Sequence, residues 1–506
     1  MKLKWLLIGL VVCLYIGFRL WDLTATCIWF DEIFSVHAAE HSWGELFPFV
    51  AQDLIHPPLF YVLLKIWISI GGDSLLWLRM FPALAACAAL VPLILLCREL
   101  KFSAFQTAVV ILFLAVNGSL IKYAQEVRMY SLLFCLACFS LWLFTSWCKR
   151  ENASLIPLFF VNLLLIYTHY FGGLIILSEL AIVFWLRRDG VWKWCAMSSL
   201  WVLSFLPWAY AVVEAYRQNA GLAQNLNWAG KPGLQQILQF AAGLHQPFYF
   251  QQSSNEPWAS AFAAPIILIC VIAAVFLFSS EEKDNFAEKD NFAVRLLLAF
   301  CAVPLAVAFI VSWVTPFSIW GTRHLTVIFI PYFLLVAMGL VRARPPFLRT
   351  ICYAAIVGFF LPAAIINYSQ PRAVYPWCAW GPLTARIKDS EIDTIYVFED
   401  VVAYELWFTV TRDAPGKFHV VLVEDDPDIK EDKAYFLPRG FNDVEKVSEA
   451  SIAGEKFWVA VRGIGKDAAH PLWQRLKAKG YKTGEPIGFR ATGLEIFMVP
   501  VEREKE

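Results

Sequence analysis

Long apolar runs recur from Trp5 to Asn367, and they restrict the fold of this chain more than any other feature. A bilayer crossing takes about 20 consecutive apolar residues, with roughly 17–25 the usual range. The candidate spans are Trp5–Leu20, Leu76–Leu96, Ala104–Leu120, Met129–Trp147, Leu155–Thr168, Phe171–Leu186, Trp194–Val213, Trp258–Phe278, Phe292–Val314, Leu325–Val341 and Thr350–Asn367. Only 17% of the 506 residues are charged, against about 25% in soluble domains. The chain therefore reads as an α-helical polytopic membrane protein with about 11 transmembrane helices and the lipid bilayer as its surroundings. Formal net charge is zero and no basic tract occurs, so no nucleic acid is expected as a partner. Trp5–Leu20 resembles a signal peptide, but no small-residue cleavage site follows it, so it is read as a retained first span.

Charge asymmetry sets the topology. Pro57–Ile70 is apolar but short, with Lys65 in its middle, and is read as interfacial. With Lys2 and Lys4 in the cytosol, the loops Arg98–Lys101, Lys149–Arg150, Arg187–Lys193, Glu281–Asn291 and Arg342–Arg349 then fall inside, as the positive-inside rule requires. Counting Pro57–Ile70 as a span would put Arg98, Lys101, Lys149, Arg150, Arg187 and Arg188 outside. The inside loop carries the repeat Glu282–Ala287 and Glu288–Ala293, read as a neutral duplication in a tolerant loop. The expected organisation is a membrane domain over 1-368, with a first external loop at 22-75, followed by an extracytoplasmic α/β domain over 369-506. In the latter, β-rich runs stand at Thr394–Phe398, His419–Val423, Ala434–Leu437, Phe457–Val461 and Glu495–Val499, and Pro471–Lys479 reads as an amphipathic helix.

A topology chosen on charge gathers the unusual polar residues on the outer side. Asp31-Glu32, His56-Pro57-Pro58, Arg79, the 125–130 turn with Glu126 and Arg128, Thr168-His169-Tyr170-Phe171 and Gly321-Thr322-Arg323-His324 all fall there. A carboxylate pair beside a bilayer is costly to hold dry, so Asp31 and Glu32 are the first candidates for chemistry. Adjacent helical residues diverge by about 100°, so one faces the reaction and the other shapes the site; the alternative is that Asp31 caps a juxtamembrane helix. Arg79, Arg128 and Arg323 stand at external boundaries, and guanidinium groups bind phosphate bidentately. Tyr123, Tyr130, His169, Tyr170 and His324 are candidate lining for a sugar pocket, set against the aromatic belt that interfaces carry anyway. Glu179 lies within a span and is a functional candidate or a buried hydrogen-bonding group. Most of the twelve cysteines fall in apolar segments, and Cys135 and Cys138, one helical turn apart, read as packing; neither a zinc site nor a disulfide framework follows.

Four stretches in order, Trp-Phe-Asp-Glu at 29–32, His-Pro-Pro-Leu-Phe-Tyr at 56–61, Leu-Arg-Met-Phe-Pro at 78–82 and Ala-Gln-Glu-Val-Arg-Met-Tyr-Ser at 124–131, resemble the GT-C superfamily of membrane glycosyltransferases. The branch they resemble holds the protein O-mannosyltransferases and the bacterial lipid A aminoarabinose transferases. The resemblance implies inverting transfer of a sugar from a polyprenyl-phosphate carrier to an acceptor at the outer face of the bacterial cytoplasmic membrane. It carries the catalytic acid to Asp31, with Glu32 beside it, and the further site positions to His56 and Arg79; donor phosphate contacts fall on Arg128 or Arg323. No obligatory metal is implied, since the second external loop lacks an Asp-x-Asp pattern, although a divalent ion is compatible with the superfamily. The acceptor, whether lipid, glycan or protein, is left open. The rival reading is a transporter or flippase of a lipid-linked sugar, which should carry ionisable residues near the midplane in paired repeats.

Overall fold

The computed structural model describes residues 2–150, 153–219, 229–248, 257–278, 287–369, 374–424, 437, 441–463 and 470–504. Most of the first copy of the hexapeptide repeat and most of the expected strand Ala434–Leu437 lie outside them. The chain forms two compact units: Met1–Leu23 with Ala39–Gln370, and Thr24–Ala38 with Pro371–Glu506. The stretch expected as the first external loop thus gives Thr24–Ala38 to the unit built from the C-terminal region.

The first unit is helical. Among the described residues, five helices are long and apolar enough to cross a membrane: Leu75–Glu99, Tyr130–Lys149, Arg188–Gln218, Asn291–Val314 and Pro346–Ser369. Seven shorter apolar helices accompany them, including Trp5–Leu20, Leu59–Gly71 and Thr326–Arg342. Tyr130–Lys149 is mostly buried, whereas on Val191–Asn219 the side chains of Leu200, Val202, Leu203 and Leu206 are each more than half exposed. Apolar stripes of that length face lipid, not water. This is a multi-pass membrane protein.

Two local features depart from the sequence reading for identifiable reasons. Ala104–Leu120 is not one helix; it stops at Val116, and a second runs over Gly118–Ala124. Asn117 makes the break, because its side-chain oxygen accepts from the Leu120 N–H at 3.0 Å while its amide donates to the Leu244 carbonyl at 2.8 Å, which is N-cap geometry. Lys65, awkward within an apolar segment, donates from Nζ to the Ala39 and His41 carbonyls. Glu179 is fully buried and hydrogen-bonded to two neighbouring helices: Ser140 Oγ lies 2.6 Å from Oε1, and Asn162 Nδ2 donates to Oε2 at 2.7 Å. Ser140 Oγ also lies 2.7 Å from Asn162 Oδ1, which closes a ring of three polar side chains.

The second unit carries a seven-stranded sheet: β1 (Thr394–Val397), β2 (His419–Val423), β3 (Glu445–Val447), β4 (Lys456–Arg462), β5 (Tyr481–Thr483), β6 (Ile487–Ala491) and β7 (Leu494–Arg503). Their order is β3-β2-β1-β4-β7-β5, with β6 also paired to β7. β1 to β4 pair in parallel and β7 pairs antiparallel to β4, β5 and β6. Tyr396, Phe398, Val421, Val459 and Val461 form a core with Leu472, Trp473 and Leu476 of the Pro471–Ala478 helix. The expected strands at 394, 419, 457 and 495 are present and the 471 helix is where its period placed it. One disulfide, Cys27–Cys378, corrects the expectation that the cysteines bridge nothing. These two alone lie outside the apolar helices; the ten others are free.

Candidate functional site

Four turns of the helical unit bring polar side chains together. The first follows the Trp43–Asp53 helix, where Asp53 Oδ2 meets His56 Nδ1 at 2.5 Å. The second is the 125–129 turn, from which Arg128 Nη2 reaches His56 Nε2 at 3.2 Å. The third caps the Ile156–Thr168 helix: the His169 ring lies 5.3 Å from His56, 6.0 Å from Tyr130 and 4.7 Å from Phe171. From the fourth, Gly321–His324, the His324 ring packs 4.3 Å from Phe171 and 6.4 Å from His169. Prolines at 57 and 58 set the His56 turn by preorganising entry into Leu59–Gly71.

The hydrogen bonds assign each imidazole a tautomer. A guanidinium only donates, so His56 Nε2 accepts from Arg128 and Nδ1–H is directed at the Asp53 carboxylate. His169 Nδ1 accepts from the Phe171 N–H at 3.2 Å, leaving its proton on Nε2. His324 Nδ1–H donates to the Ile319 carbonyl at 2.9 Å, leaving Nε2 as an acceptor. Burial, and then the charges of His56, His324, Arg128 and Arg323, push His169 well below the ordinary imidazole value. Burial and then Arg323 bring His324 down to about 3. Burial, opposed by a hydrogen bond from Trp208 Nε1 (3.1 Å) and assisted by Asp53, lifts the Tyr170 phenol to about 12. At neutral pH the cluster holds two guanidinium cations and the Asp53 carboxylate, with neutral imidazoles at His169 and His324 and a neutral phenol. Such a site favours an anion with several acceptor oxygens.

Other predicted residues sit elsewhere in this unit. Tyr123 touches the cluster through Tyr130, with ring centroids 5.1 Å apart. Glu126 pairs with Lys122 at 3.8 Å on its own turn. Arg79 is buried and donates to the Leu23 carbonyl at 2.9 Å, so one of its bonds ties off the end of the first helix. Sequence reasoning missed Arg19, buried within the first span, whose Nη2 donates to the Leu114 carbonyl at 3.0 Å and whose guanidinium lies 3.3 Å over the Tyr15 ring. Tyr15 and Arg19 line a small open pocket with Tyr123, Tyr130, Ser131 and Thr326. It also passed over Asp53 as a partner for His56, although the Asp-x-x-His spacing was the available signal.

Asp31 and Glu32 belong to the other unit, in the first turn of the Phe30–Glu40 helix. Glu32 is fully buried, and its Oε2 accepts from the Trp29 N–H at 3.3 Å. This is the backward reach of a third-position glutamate to the residue before a helix. Asp31 is half-buried and stands where a carboxylate also suits the helix dipole. Among the described residues, no group of three His, Cys, Asp or Glu side chains could hold a metal ion.

No protein-family profile matches the chain, and no curated protein does. Solved structures do match. The archaeal oligosaccharyltransferase AglB from Archaeoglobus fulgidus, solved with an inhibitory peptide and a dolichol-phosphate, superposes with a TM-score of 0.50 at 12% identity over 80% of this chain. At that identity the likeness is one of fold: the chain shares the fold of AglB. This chain spans 63% of the length of AglB. Two structures of ArnT from Cupriavidus metallidurans are also similar to this chain. The apo form covers 98% of both chains at 13% identity with a TM-score of 0.48. The form bound to undecaprenyl phosphate covers 97% of both at 12% identity with a TM-score of 0.47. The fold likeness rests on AglB.

Proposed function

We propose that this protein is an inverting glycosyltransferase that moves a sugar from a polyprenyl-phosphate donor to an acceptor at the outer face of the cytoplasmic membrane. The observation that carries the reading is the turn cluster: Arg128 and Arg323 among uncharged His169, His324 and Tyr170. It suits the phosphate of a lipid carrier, and the dolichol-phosphate held by AglB is a ligand of that class. In the reaction Asp31 takes the acceptor hydroxyl proton as the oxygen attacks the anomeric carbon. The carbon–oxygen bond to phosphate breaks with its electron pair going to the phosphate, and the anomeric centre inverts. Arg128 and Arg323, with the Nε2–H of His169, stabilise the charge on that leaving group; His56 orients Arg128 and His324 packs beside them, while Tyr123, Glu126, Tyr130 and Tyr170 line the sugar. Glu32 and Arg79 hold the local backbone. No step requires a metal.

The membrane reading that goes with this is eleven spans over 1-368, Leu59–Gly71 in the interface, and 369-506 outside. The Cys27–Cys378 bridge supports it, because charge alone places both cysteines outside, where disulfides persist. The transporter reading draws little support from Glu179, whose carboxyl is engaged by Ser140 and Asn162.

The test uses purified protein in detergent, radiolabelled polyprenyl-phosphate sugars and a membrane-lipid extract as acceptor. Wild type should release free polyprenyl phosphate and Asp31→Asn should not. Absence of release with every donor, together with donor movement across liposomes containing the protein, would hand the function to the transporter.

A further inference from the structure

The Asp31 helix is fastened on both sides of Asp31, from Cys27 to His37, to the unit of the C-terminal region. Cys27, four residues before Asp31, is bridged to Cys378 across 351 residues of sequence. Trp29 packs 6.1 Å from Trp377, and Phe30 lies edge-on to Tyr404 at 5.6 Å. Six residues beyond Asp31, His37 Nδ1 meets the Tyr404 hydroxyl at 2.9 Å. The His37 ring is enclosed by Trp407 at 4.9 Å and Phe441 at 5.4 Å. Between these anchors Glu32, Ile33, Ser35 and Val36 are all buried.

A helix of 11 residues does not hold its shape alone in water, so its order and the direction of its first turn come from these anchors. Asp31 lies inside the anchored stretch but is itself half-buried, the one carboxylate of the adjacent pair left partly open.

We propose that the C-terminal unit is the mount of the base-bearing helix, with Cys27, Cys378, His37 and Tyr404 acting as positioning residues for Asp31. This rests on the reading of Asp31 as the base. The unit sets the direction of one carboxylate, and the disulfide makes that setting dependent on an oxidising surrounding. Donor recognition, assigned to the helical unit, stays outside its influence.

Two measurements on the full-length protein test the mount. Hydrogen exchange over Phe30–Glu40 is followed with the disulfide intact and after reduction, and in Cys27→Ser and Cys378→Ser. The same samples are assayed for kcat and for donor KM with polyprenyl-phosphate sugars. Reduction or either serine variant should speed exchange in that peptide and lower kcat at least tenfold, with donor KM unchanged within twofold. The double serine variant should be no worse than either single one. Tyr404→Phe keeps the ring packing and removes only the hydroxyl, so it guards against a misfolded cysteine variant; it should show the same split at a few-fold in kcat. Exchange that ignores reduction overturns the mount, and faster exchange with kcat intact overturns the positioning role. An active Asp31→Asn in the oxidised protein removes the base reading separately, since the exchange result does not depend on it.

Discussion

At the scale of single residues, the turn cluster and Asp31 should separate in kinetics. Arg128→Lys replaces a planar fork with a point charge and leaves His56 Nε2 without its donor. Donor KM should rise at least tenfold while the dependence on acceptor is unchanged. Asp31→Asn should do the reverse, lowering kcat by about 100-fold or more, the range for loss of a positioned base. Equal effects of the two variants on KM and kcat would contradict the division of labour. The buried imidazoles make a second prediction, for stability. His324 is held at about 3 and His169 well below 6.5, whereas both return to about 6.5 when unfolded. The unfolded chain therefore binds more protons than the folded one below pH 6.5. Stability from these two groups is complete above that pH and falls as pH drops from 6.5 toward 3. Thermal unfolding across pH 4–7 should show the loss, and His324→Gln should make the curve shallower. Stability that is flat through this interval would show that His324 stays accessible to protons in the fold.

Elements were legible where a period or a cap writes itself into the sequence. The long apolar helices, β1, β2, β4, β7 and Pro471–Ala478 follow from hydropathy and strand alternation. The short strands β3 and β5 do not, because Glu445–Val447 and Tyr481–Thr483 are mostly exposed edge segments whose pairing comes from neighbours. The helix Asp400–Asp413 was missed because Val, Thr and aromatic residues give it no clear polar stripe. Of the candidate site, the four turns could be named from their arginines and histidines. That Asp53 orients His56, and that Arg128 turns to His56, depends on tertiary approach that no local pattern encodes. The Glu179 ring is a test at this scale. Glu179→Gln presents one acceptor, for the Asn162 amide, and one donor, for Ser140 Oγ, so the ring can close with the Ser140 bond reversed and the unfolding temperature should hold within a few degrees. Glu179→Ala strands two buried polar partners and should cost about 2 kcal/mol. A glutamine variant as damaged as the alanine one would mean the carboxylate itself is required, and would revive the transport reading.

For the whole molecule, the orientation read from charge makes its own prediction. In intact spheroplasts, a tag after Glu506 should be digested by added protease, and one placed within the 282–293 repeat should survive until the membrane is opened. The reverse pattern would place the Asp31 helix in the cytosol and remove the proposed reaction from the outer face.

Because Thr24–Ala38 is completed by residues from 371 onward, synthesis cannot finish this unit in the order in which the chain emerges. At about 5–20 residues per second, the 351 residues separating the bridged cysteines take roughly 20–70 s to make. Throughout that interval Cys27 waits as an exposed thiol while the membrane helices are laid down behind it. On the proposed reading the chain is thus born inactive, and the Asp31 helix is set in place only when the last quarter of the chain arrives. A ribosome-bound chain stopped before residue 371 should still label at Cys27 with a membrane-impermeant thiol reagent, and the released full-length protein should not.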